Sequence, residues 1–236
     1  MANADDRLIV ALDLSARAEA EKLVEKLGDS VSFYKIGYQF FFGGDGFAFG
    51  KELIAAGKKV FFDLKLFDIE NTVEKGVEAF AKSGASFLTV HAYPKVIGAA
   101  ARAAAGSQLK ILGVTVLTSY DNDDMMYAGY DRDVESLVGL RAHQAKLANI
   151  GGIVCSPHEA AMARTLIGDE LAIVTPGIRP AGAKTNDQKR IMTPSEALEN
   201  GASHIVVGRP ITAADSPAQE AGAIVAEMAK VAPDAD

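Results

Sequence analysis

The sequence contains a single cysteine, Cys155, among its 236 residues. One cysteine excludes a disulfide within the chain and any cysteine-cluster metal site, and it suits a reducing cytoplasm. No apolar run approaches the roughly 18 residues that span a bilayer. The first seven residues lack the basic and apolar stretches of a signal peptide. We therefore expect a cytoplasmic protein without a membrane partner.

Positive charge is also scarce. Lys and Arg number 24 against 31 Asp and Glu, which gives a formal net charge of −7. An acidic chain without a basic run is a poor candidate for sequence-independent nucleic-acid binding, so we expect no nucleic-acid partner. Apolar residues make up 49% of the chain and charged residues 23%. These values are close to the globular average and argue against a disordered or fibrous protein.

Short β-rich apolar runs recur along the chain, and each precedes a stretch with helical periodicity. The predicted strands are residues 8–13, 32–37, 59–65, 87–92, 110–119, 152–157, 171–176 and 204–208. The predicted helices include 15–27, capped by Ser15, and 71–83, 94–105 and 133–148. Continuous apolar runs are typical of parallel strands that are covered on both faces. Eight units of about 30 residues without a linker predict one α/β domain over residues 1–236, a (β/α)8 or TIM barrel.

A doubly wound open sheet is the alternative fold. Such a sheet usually carries a glycine fingerprint directly after its first strand. Residues 13–17 read Asp-Leu-Ser-Ala-Arg and contain no glycine. The barrel is therefore the favoured prediction.

Polar residues follow the predicted strands at their C-terminal ends, where barrel enzymes place their active sites. The set consists of Asp13, Lys35, Asp63, Lys65, Asp68, His91, Thr118, Ser119, Ser156, Thr175, Gly208 and Arg209. Charges inside a barrel are costly to bury unless they are paired, and these acids and lysines can pair with each other. Any one of them can be a structural ion pair, but the set as a whole favours an active site.

The most specific pattern lies in residues 61–73. Asp63 and Lys65 are two positions apart on a strand, so both are expected to point into the barrel. Asp68 follows in the turn before a helix, and Lys35 ends another strand, which makes an alternating Lys–Asp–Lys–Asp array available. Opposite charges around Lys65 favour its protonated form, and hence a proton donor rather than a Schiff-base nucleophile.

The acids of this array indicate a type of reaction. A carboxylate held near an acidic group of a substrate repels that group. The repulsion fades when the group leaves as CO2. An interaction that changes in this way between ground state and transition state accelerates the step.

The last quarter of the chain carries a predicted phosphate site. Loops after strands seven and eight of a barrel commonly bind phosphate. Gly177 and Gly208 allow close backbone approach, and Arg179 and Arg209 offer bidentate contacts. Residues 179–193 have no strand pattern and are interpreted as a flap that closes on the phosphate. The alternative is an ordinary solvated loop, and within it Arg190 is expected to face solvent.

In these motifs the chain resembles the orotidine 5'-phosphate decarboxylase family. The resemblance runs from about residue 7 to 225 in the family's order. A D-x-K-x-x-D element alone also fits a sister family of sugar-phosphate decarboxylases and synthases. The matching segments are Ala11-Leu-Asp13, Lys35-Ile-Gly37, Asp63-Leu-Lys65, Asp68-Ile69, Asn71-Thr72-Val73, Val114-Thr-Val-Leu-Thr-Ser119, Pro176-Gly-Ile-Arg179 with Gln188, and Val207-Gly-Arg209.

The resemblance implies cofactor-free and metal-free decarboxylation of orotidine 5'-monophosphate to UMP in pyrimidine biosynthesis. Lys65 would protonate C6 of the pyrimidine, and Lys35, Asp63 and Asp68 would complete the charged array. The family pattern also implies a homodimer in which Asp68 and Thr72 reach the neighbouring subunit's site. The remaining substrate contacts that it implies are Asp13 and Lys35 with the ribose, Thr118 or Ser119 with the pyrimidine edge, and Arg179, Gln188, Gly208 and Arg209 with the phosphate.

Two positions depart from the family pattern. Glu70 stands where many members have proline, but an acid suits the start of a helix, so we expect no loss of function. The turn His91-Ala-Tyr-Pro94 lacks a glycine pair, and His91 is interpreted as a packed barrel residue rather than a catalyst.

Two other functions remain open on the sequence. A metal-dependent sugar-phosphate lyase of the sister family is disfavoured by Lys35-x-Gly37 and by the long flap. A non-catalytic nucleotide-binding barrel is disfavoured by the charged array, because acids beside an anionic ligand weaken binding.

Overall fold

Eight parallel strands form a closed barrel in the computed structural model, which describes residues 4–180 and 192–231. Each strand pairs with the next in the sequence, and the eighth pairs with the first. This confirms the predicted (β/α)8 barrel. The strands are β1 Leu8–Ala11, β2 Phe33–Gly37, β3 Lys59–Leu66, β4 Phe87–His91, β5 Lys110–Val114, β6 Gly152–Val154, β7 Ala172–Thr175 and β8 His204–Val207.

Helices follow every strand and cover the outside of the barrel. A short 3-10 turn, Gly28–Ser30, joins the first helix to β2. Within the described ranges no helix is long and apolar enough to cross a membrane. The helices are α1 Arg17–Leu27, α2 Tyr38–Gly43, α3 Gly46–Ala55, α4 Glu70–Ala81, α5 Pro94–Ala104, α6 Asn122–Tyr127, α7 Val134–Leu147, α8 Ala160–Ile167, α9 Pro194–Glu199, α10 Arg209–Thr212 and α11 Pro217–Met228.

The start of α1 differs from the prediction. Its N-cap is Ala16, which has no side-chain cap, so the N-cap predicted at Ser15 is wrong. The Ser15 hydroxyl instead accepts a hydrogen bond from Gln39 Nε2 at 2.9 Å, which ties the end of β1 to α2. The fifth strand is also shorter than predicted and ends at Val114.

An apolar cluster, here called the apolar plug, fills the barrel interior up to the mouth. Its members are Ile9, Ala11, Phe33, Phe61, Phe87, Leu112, Ala172, Val174 and Val206. Inward-facing positions recur at every second residue of a strand. Lys35 is therefore the next inward position after Phe33, and Asp63 stands in the same relation to Phe61. The sequence alternation places charged groups directly above this apolar plug.

A larger apolar cluster lies between the barrel wall and the helices. Phe62, next to the inward-facing Phe61, points outward and packs against Phe80 with ring centroids 4.9 Å apart. A Cβ on Gly50 of α3 would lie 2.4 Å from Phe62 Cζ, so this helix can approach the barrel only with glycine there. This packing fixes β3 from outside, and β3 carries the central charged residues of the mouth.

Candidate active site

A cavity of about 570 Å³ opens at the C-terminal end of the barrel. Such a position is where barrel enzymes bind their substrates. Its walls collect residues from the ends of several strands, so the cavity combines groups that are far apart in the sequence. The predicted site residues that line it are Asp13, Lys35, Asp63, Lys65, Thr118, Arg179, Gly208 and Arg209.

Four of these side chains form a row of alternating charge, here called the charged row. Lys65 Nζ lies 2.8 Å from Asp63 Oδ1. The other oxygen of Asp63 lies 3.6 Å from Lys35 Nζ, and Lys35 Nζ lies 2.9 Å from Asp13 Oδ1. The charged row therefore reads Asp13–Lys35–Asp63–Lys65. Each buried charge in it faces a charge of opposite sign, which offsets the cost of desolvation.

The inner members of the charged row are ionised because of their neighbours. Burial by itself lowers the pKa of Lys35, which is only 8% exposed, but the carboxylates of Asp63 and Asp13 hold that pKa above its ordinary value. Burial likewise raises the pKa of Asp63, and the ammonium groups of Lys35 and Lys65 outweigh it, so the pKa is lowered. Asp63 is an anion and Lys35 a cation at neutral pH.

The backbone at Lys65 is left-handed, with φ +44°. A side chain other than glycine adopts this conformation only where its surroundings hold it. Strand β3 also slips against β4 here: Phe62 pairs with Leu88, but Leu66 pairs with Val90. Asp63 and Lys65 both line the cavity, as their spacing predicts. They do so from a bulge rather than from a regular strand.

Glycine at position 37 makes room for the charged row. A Cβ there would lie 2.9 Å from Lys35 Nζ and 3.1 Å from Asp13 Oδ1. Both distances are too short for an unstrained contact. The Lys35-x-Gly37 motif therefore reflects a steric requirement of the contact between Lys35 and Asp13.

Asp68 does not join the charged row within one chain. Its side chain is exposed, and Oδ1 accepts a hydrogen bond from the N–H of Ile69 at 2.6 Å. It does not line the cavity, and among the described residues it makes no ion pair with Lys35 or Lys65. Thr72 is also exposed, on the first turn of α4. One chain thus brings together three of the four predicted array residues.

The surface around Asp68 is apolar. Phe42 is 78% exposed, Ile69 73% and Phe67 60%. Phe42 and Phe67 also border a groove of about 560 Å³, here called the apolar groove, which includes His91. Tyr38 and Lys65 line both this groove and the cavity, so the two are continuous. Exposed apolar patches of this kind mark interaction surfaces.

Two arginines line the cavity from the segments that follow β7 and β8. Arg179 is only 6% exposed, and burial together with the charge of Arg209 lowers its pKa. Its Nη1 donates to the carbonyl of Ile178 at 2.8 Å, while its Nε has no hydrogen-bond partner within residues 4–180 and 192–231. Gly177, with φ +83°, carries the chain into this turn. A buried cation with an unused donor beside a second cation is suited to bind an anion.

The predicted flap lies mostly outside the described residues. Gln188 and Arg190 both lie outside the described residues. Both ends of that segment are placed: Ile178 and Met192 form a parallel bridge, and the Arg179 N–H donates to the Met192 carbonyl at 3.0 Å. The segment thus starts and ends beside the arginine pair.

The remaining predicted residues divide between the cavity and other positions. Thr118 lines the cavity, whereas Ser119 is exposed and does not line it. His91 is half-buried in the apolar groove, edge-on to Phe67 with centroids 5.6 Å apart. Burial and the nearby Arg141 lower the pKa of His91.

Glu70, which stands in place of the family's proline, forms ion pairs with its neighbours. Its carboxylate lies 3.3 Å from Arg102 and 3.9 Å from Lys95. These contacts join the first turn of α4 to α5.

Sequence reasoning missed several residues of the cavity. The apolar lining includes Val114, Val154 and Val206, whose signal was the alternation of inward positions along their strands, and Val116, two residues beyond the end of β5. Tyr38 and Gln39, directly after β2, and Thr212, at the end of α10, also line it. In the described part of the chain, no three His, Cys, Asp or Glu side chains are grouped so as to hold a metal ion.

The chain has close similarities to known proteins. Residues 6–224 match the model of the Orotidine 5'-phosphate decarboxylase / HUMPS family. An orotidine 5'-phosphate decarboxylase of Rhodopseudomonas palustris strain CGA009 is 58% identical over 224 residues, which cover 95% of this chain and 94% of the relative. The enzyme of the same name from strain BisB5 is 57% identical over 234 residues, 98% of this chain and 99% of the relative.

A solved structure supports the same relationship. The crystal structure of orotidine 5'-phosphate decarboxylase from Lactobacillus acidophilus matches with a TM-score of 0.83 and 39% identity. The match covers 95% of this chain and 99% of that one. The chain therefore belongs to the Orotidine 5'-phosphate decarboxylase / HUMPS family, as its motifs predicted.

Proposed function

We propose that this chain converts orotidine 5'-monophosphate to UMP and CO2, a step of pyrimidine biosynthesis. The observation that carries the proposal is the charged row and the arginine pair in one cavity. A substrate with a phosphate at one end and a carboxylate on its base matches these two groups. The names of the two curated relatives, both orotidine 5'-phosphate decarboxylases, agree with this assignment.

The arginine pair and the charged row would each contact a different part of the substrate. Arg179 and Arg209 bind the phosphate, with Gly208 providing a close backbone approach and Gln188 closing from the flap. Asp13 and Lys35 contact the ribose hydroxyls. Thr118, which also lines the cavity, contacts the pyrimidine edge.

The chemical step needs one proton and one departing group. The bond between C6 and the carboxylate breaks, CO2 leaves, and the electron pair stays on C6. The ammonium of Lys65 donates its proton to C6, and the amine then regains a proton from water. Asp63, held ionised by two lysines, repels the carboxylate until it departs, and this repulsion favours the transition state over the bound substrate.

We propose that the reaction is independent of any cofactor or metal. The proton donor is Lys65 and the electrostatic group is Asp63, so the chain's own side chains supply each function that the step requires. The single buried cysteine agrees with a cytoplasmic location.

We further propose a homodimer in which Asp68 and Thr72 serve the partner's site. Asp68 faces away from its own cavity, and the exposed Phe42 and Ile69 give this surface an apolar border. The apolar groove is continuous with the cavity, so a second copy seated there would bring its own Asp68 to the charged row.

Mixing two inactive variants tests the shared site. Lys65→Ala and Asp68→Asn are each expected to be inactive alone. A hybrid dimer contains one site with a wild-type Lys65 and a wild-type Asp68 from different chains, so a random mixture should regain about one quarter of the wild-type activity. A mixture that stays inactive, although native mass spectrometry shows hybrid dimers, contradicts the shared site.

A spectrophotometric assay tests the activity itself. Purified protein with EDTA should remove the absorbance of the orotate chromophore of orotidine 5'-monophosphate. Turnover only after Mg2+ is added would instead support a metal-dependent lyase. Binding of UMP without any turnover would support a nucleotide-binding barrel, and either result overturns the proposal.

A further inference from the structure

Strand β4 carries a polar residue at an inward position of the barrel. Thr89 is completely buried, and it lies opposite the stretch of β3 that contains Asp63 and Lys65. Between the pairs Phe62–Leu88 and Leu66–Val90, β3 has three residues where β4 has one. Regular ladder bonds cannot form across such a bulge, so the displaced backbone groups need other partners.

The hydroxyl of Thr89 supplies such a partner. The backbone N–H of Lys65 donates to Thr89 Oγ1 at 2.9 Å. The same hydroxyl lies 2.9 Å from Asp63 Oδ1 and donates to it. Because an N–H only donates and an ionised carboxylate only accepts, the direction of both bonds is fixed. One side chain thus connects the left-handed backbone of Lys65 with the carboxylate of Asp63.

The two bonds also determine how Asp63 presents its oxygens. Oδ1 accepts from Thr89 and from Lys65 Nζ, the latter at 2.8 Å. Oδ2 faces Lys35 Nζ at 3.6 Å. Rotation of the carboxylate would break the bond to Thr89, so the hydroxyl fixes which oxygen faces which lysine.

We propose that Thr89 is a positioning residue of the decarboxylation: it holds the bulge that aims Lys65 and fixes the orientation of Asp63. The inference rests on the proposed function, because it concerns the placement of that reaction's proton donor. Thr89 itself touches no substrate, since it lies below the cavity and does not line it. Its contribution is therefore expected in the chemical step rather than in substrate affinity.

Thr89→Val removes the hydroxyl and keeps the branched shape. We expect kcat to fall roughly 10- to 100-fold, because small displacements of reacting groups have effects of this size. The KM for orotidine 5'-monophosphate and the affinity for UMP should stay within about threefold of wild type, since the arginine pair is untouched. Thr89→Ser, which keeps the hydroxyl, should restore kcat to near the wild-type value.

Thr115→Val is the matched control. Thr115 is equally buried, and its Oγ1 donates to the Val154 carbonyl at 2.9 Å without touching the charged row. Its kcat should match wild type. If Thr89→Val does not fold by circular dichroism, Thr89→Cys replaces it, because a thiol has a similar volume but weak hydrogen bonds.

The outcomes separate this inference from the proposed function. Wild-type protein without turnover refutes the function and, with it, the inference. If the wild-type protein turns over and Thr89→Val (or Thr89→Cys in its place) is as active as Thr89→Ser, only the positioning role is refuted. A rise in KM at unchanged kcat also refutes it. Loss of kcat in that variant together with recovery in Thr89→Ser supports it.

Discussion

The ammonium of Lys35 lies 2.9 Å from the carboxylate of Asp13, although the two residues belong to different strand ends. This contact makes Asp13, and not Asp68, the fourth member of the charged row within one chain. Lys35 consequently has an acid on either side, Asp13 and Asp63. Both acids hold Lys35 protonated, and Lys35 in turn holds Asp63 ionised.

Loss of the proton donor should abolish turnover. Lys65→Ala is expected to lower kcat at least about 1,000-fold, because general acid catalysis contributes on this scale. Lys65→Arg should be similarly inactive, since a guanidinium keeps the charge but does not release its proton. The measurement is single-turnover decarboxylation, with circular dichroism to verify the fold.

The control for that experiment is Lys75→Ala on α4, an exposed lysine that pairs only locally with Glu78 at 2.8 Å. It should retain wild-type kcat. Turnover by Lys65→Ala within tenfold of wild type would rule out Lys65 as the donor.

Removal of the buried arginine should weaken substrate binding. Arg179→Ala is expected to raise KM roughly 10- to 100-fold, which corresponds to the loss of a charge-assisted hydrogen bond of about 1.5–3 kcal/mol. Binding of a ligand without a phosphate, such as uridine, should not change. Titration calorimetry with UMP and with uridine measures both.

Arg102→Ala is the matched control, because this exposed arginine pairs with Glu74 at 2.6 Å on the outside of the barrel. It should bind UMP like wild type. Equal losses of affinity for UMP and uridine in Arg179→Ala would contradict the phosphate assignment.

A methyl group at position 37 should disturb the charged row. In Gly37→Ala the new Cβ would press on Lys35 Nζ at 2.9 Å, and either that ammonium or Asp13 must move. We expect kcat/KM to fall roughly 10- to 100-fold with little change in the free energy of unfolding. Steady-state kinetics and urea unfolding test this.

Gly222→Ala provides the comparison, since nothing lies within 4 Å of a Cβ at this position of α11. It should keep full activity and gain about 0.5–1 kcal/mol of stability from its helical position. Gly37→Ala with wild-type kinetics would show that the row tolerates the methyl group.

Acid should destabilise the fold through His204 at the start of β8. Burial, with smaller effects from Lys110 and Lys59, lowers the pKa of His204 to about 4. Its ring packs edge-on against Phe87 with centroids 5.1 Å apart. Because the folded pKa lies below the unfolded one, this stability is present above about pH 6.5 and is lost as the pH falls towards 4.

Urea unfolding at pH 7.5 and pH 5 measures this loss, which we expect to be about 1–2 kcal/mol for His204. His204→Gln cannot titrate and should lose correspondingly less stability between these pH values. An equal acid loss in both proteins would assign the effect to other groups.

The barrel and much of its mouth could be predicted because both depend on local patterns. Eight apolar runs at regular spacing indicate the fold, and a charge at the end of a run indicates the mouth. The role of Thr89 could not be predicted, because it depends on a bulge between β3 and β4 that no residue of β4 signals. The contact between Asp13 and Lys35 depends on the stagger of two strands and on the missing Cβ of Gly37.

The position of Asp68 shows a different limit. Its spacing from Lys65 predicts a place in the charged array, but its side chain is exposed, accepts a hydrogen bond from the Ile69 N–H and does not line the cavity. Whether Asp68 serves its own chain's site or a partner's depends on the geometry of the interface between subunits. The spacing of residues within one sequence does not give that geometry.

The apolar plug beneath the charged row has a consequence for traffic through the barrel. Its side chains, such as Phe33 and Phe61, are at most 7% exposed and close the interior towards the N-terminal ends of the strands. Among the described residues, the cavity is thus closed at its base and opens at the C-terminal end of the barrel. Under the proposed function, orotidine 5'-monophosphate, CO2 and UMP would all enter or leave at this C-terminal end of the barrel.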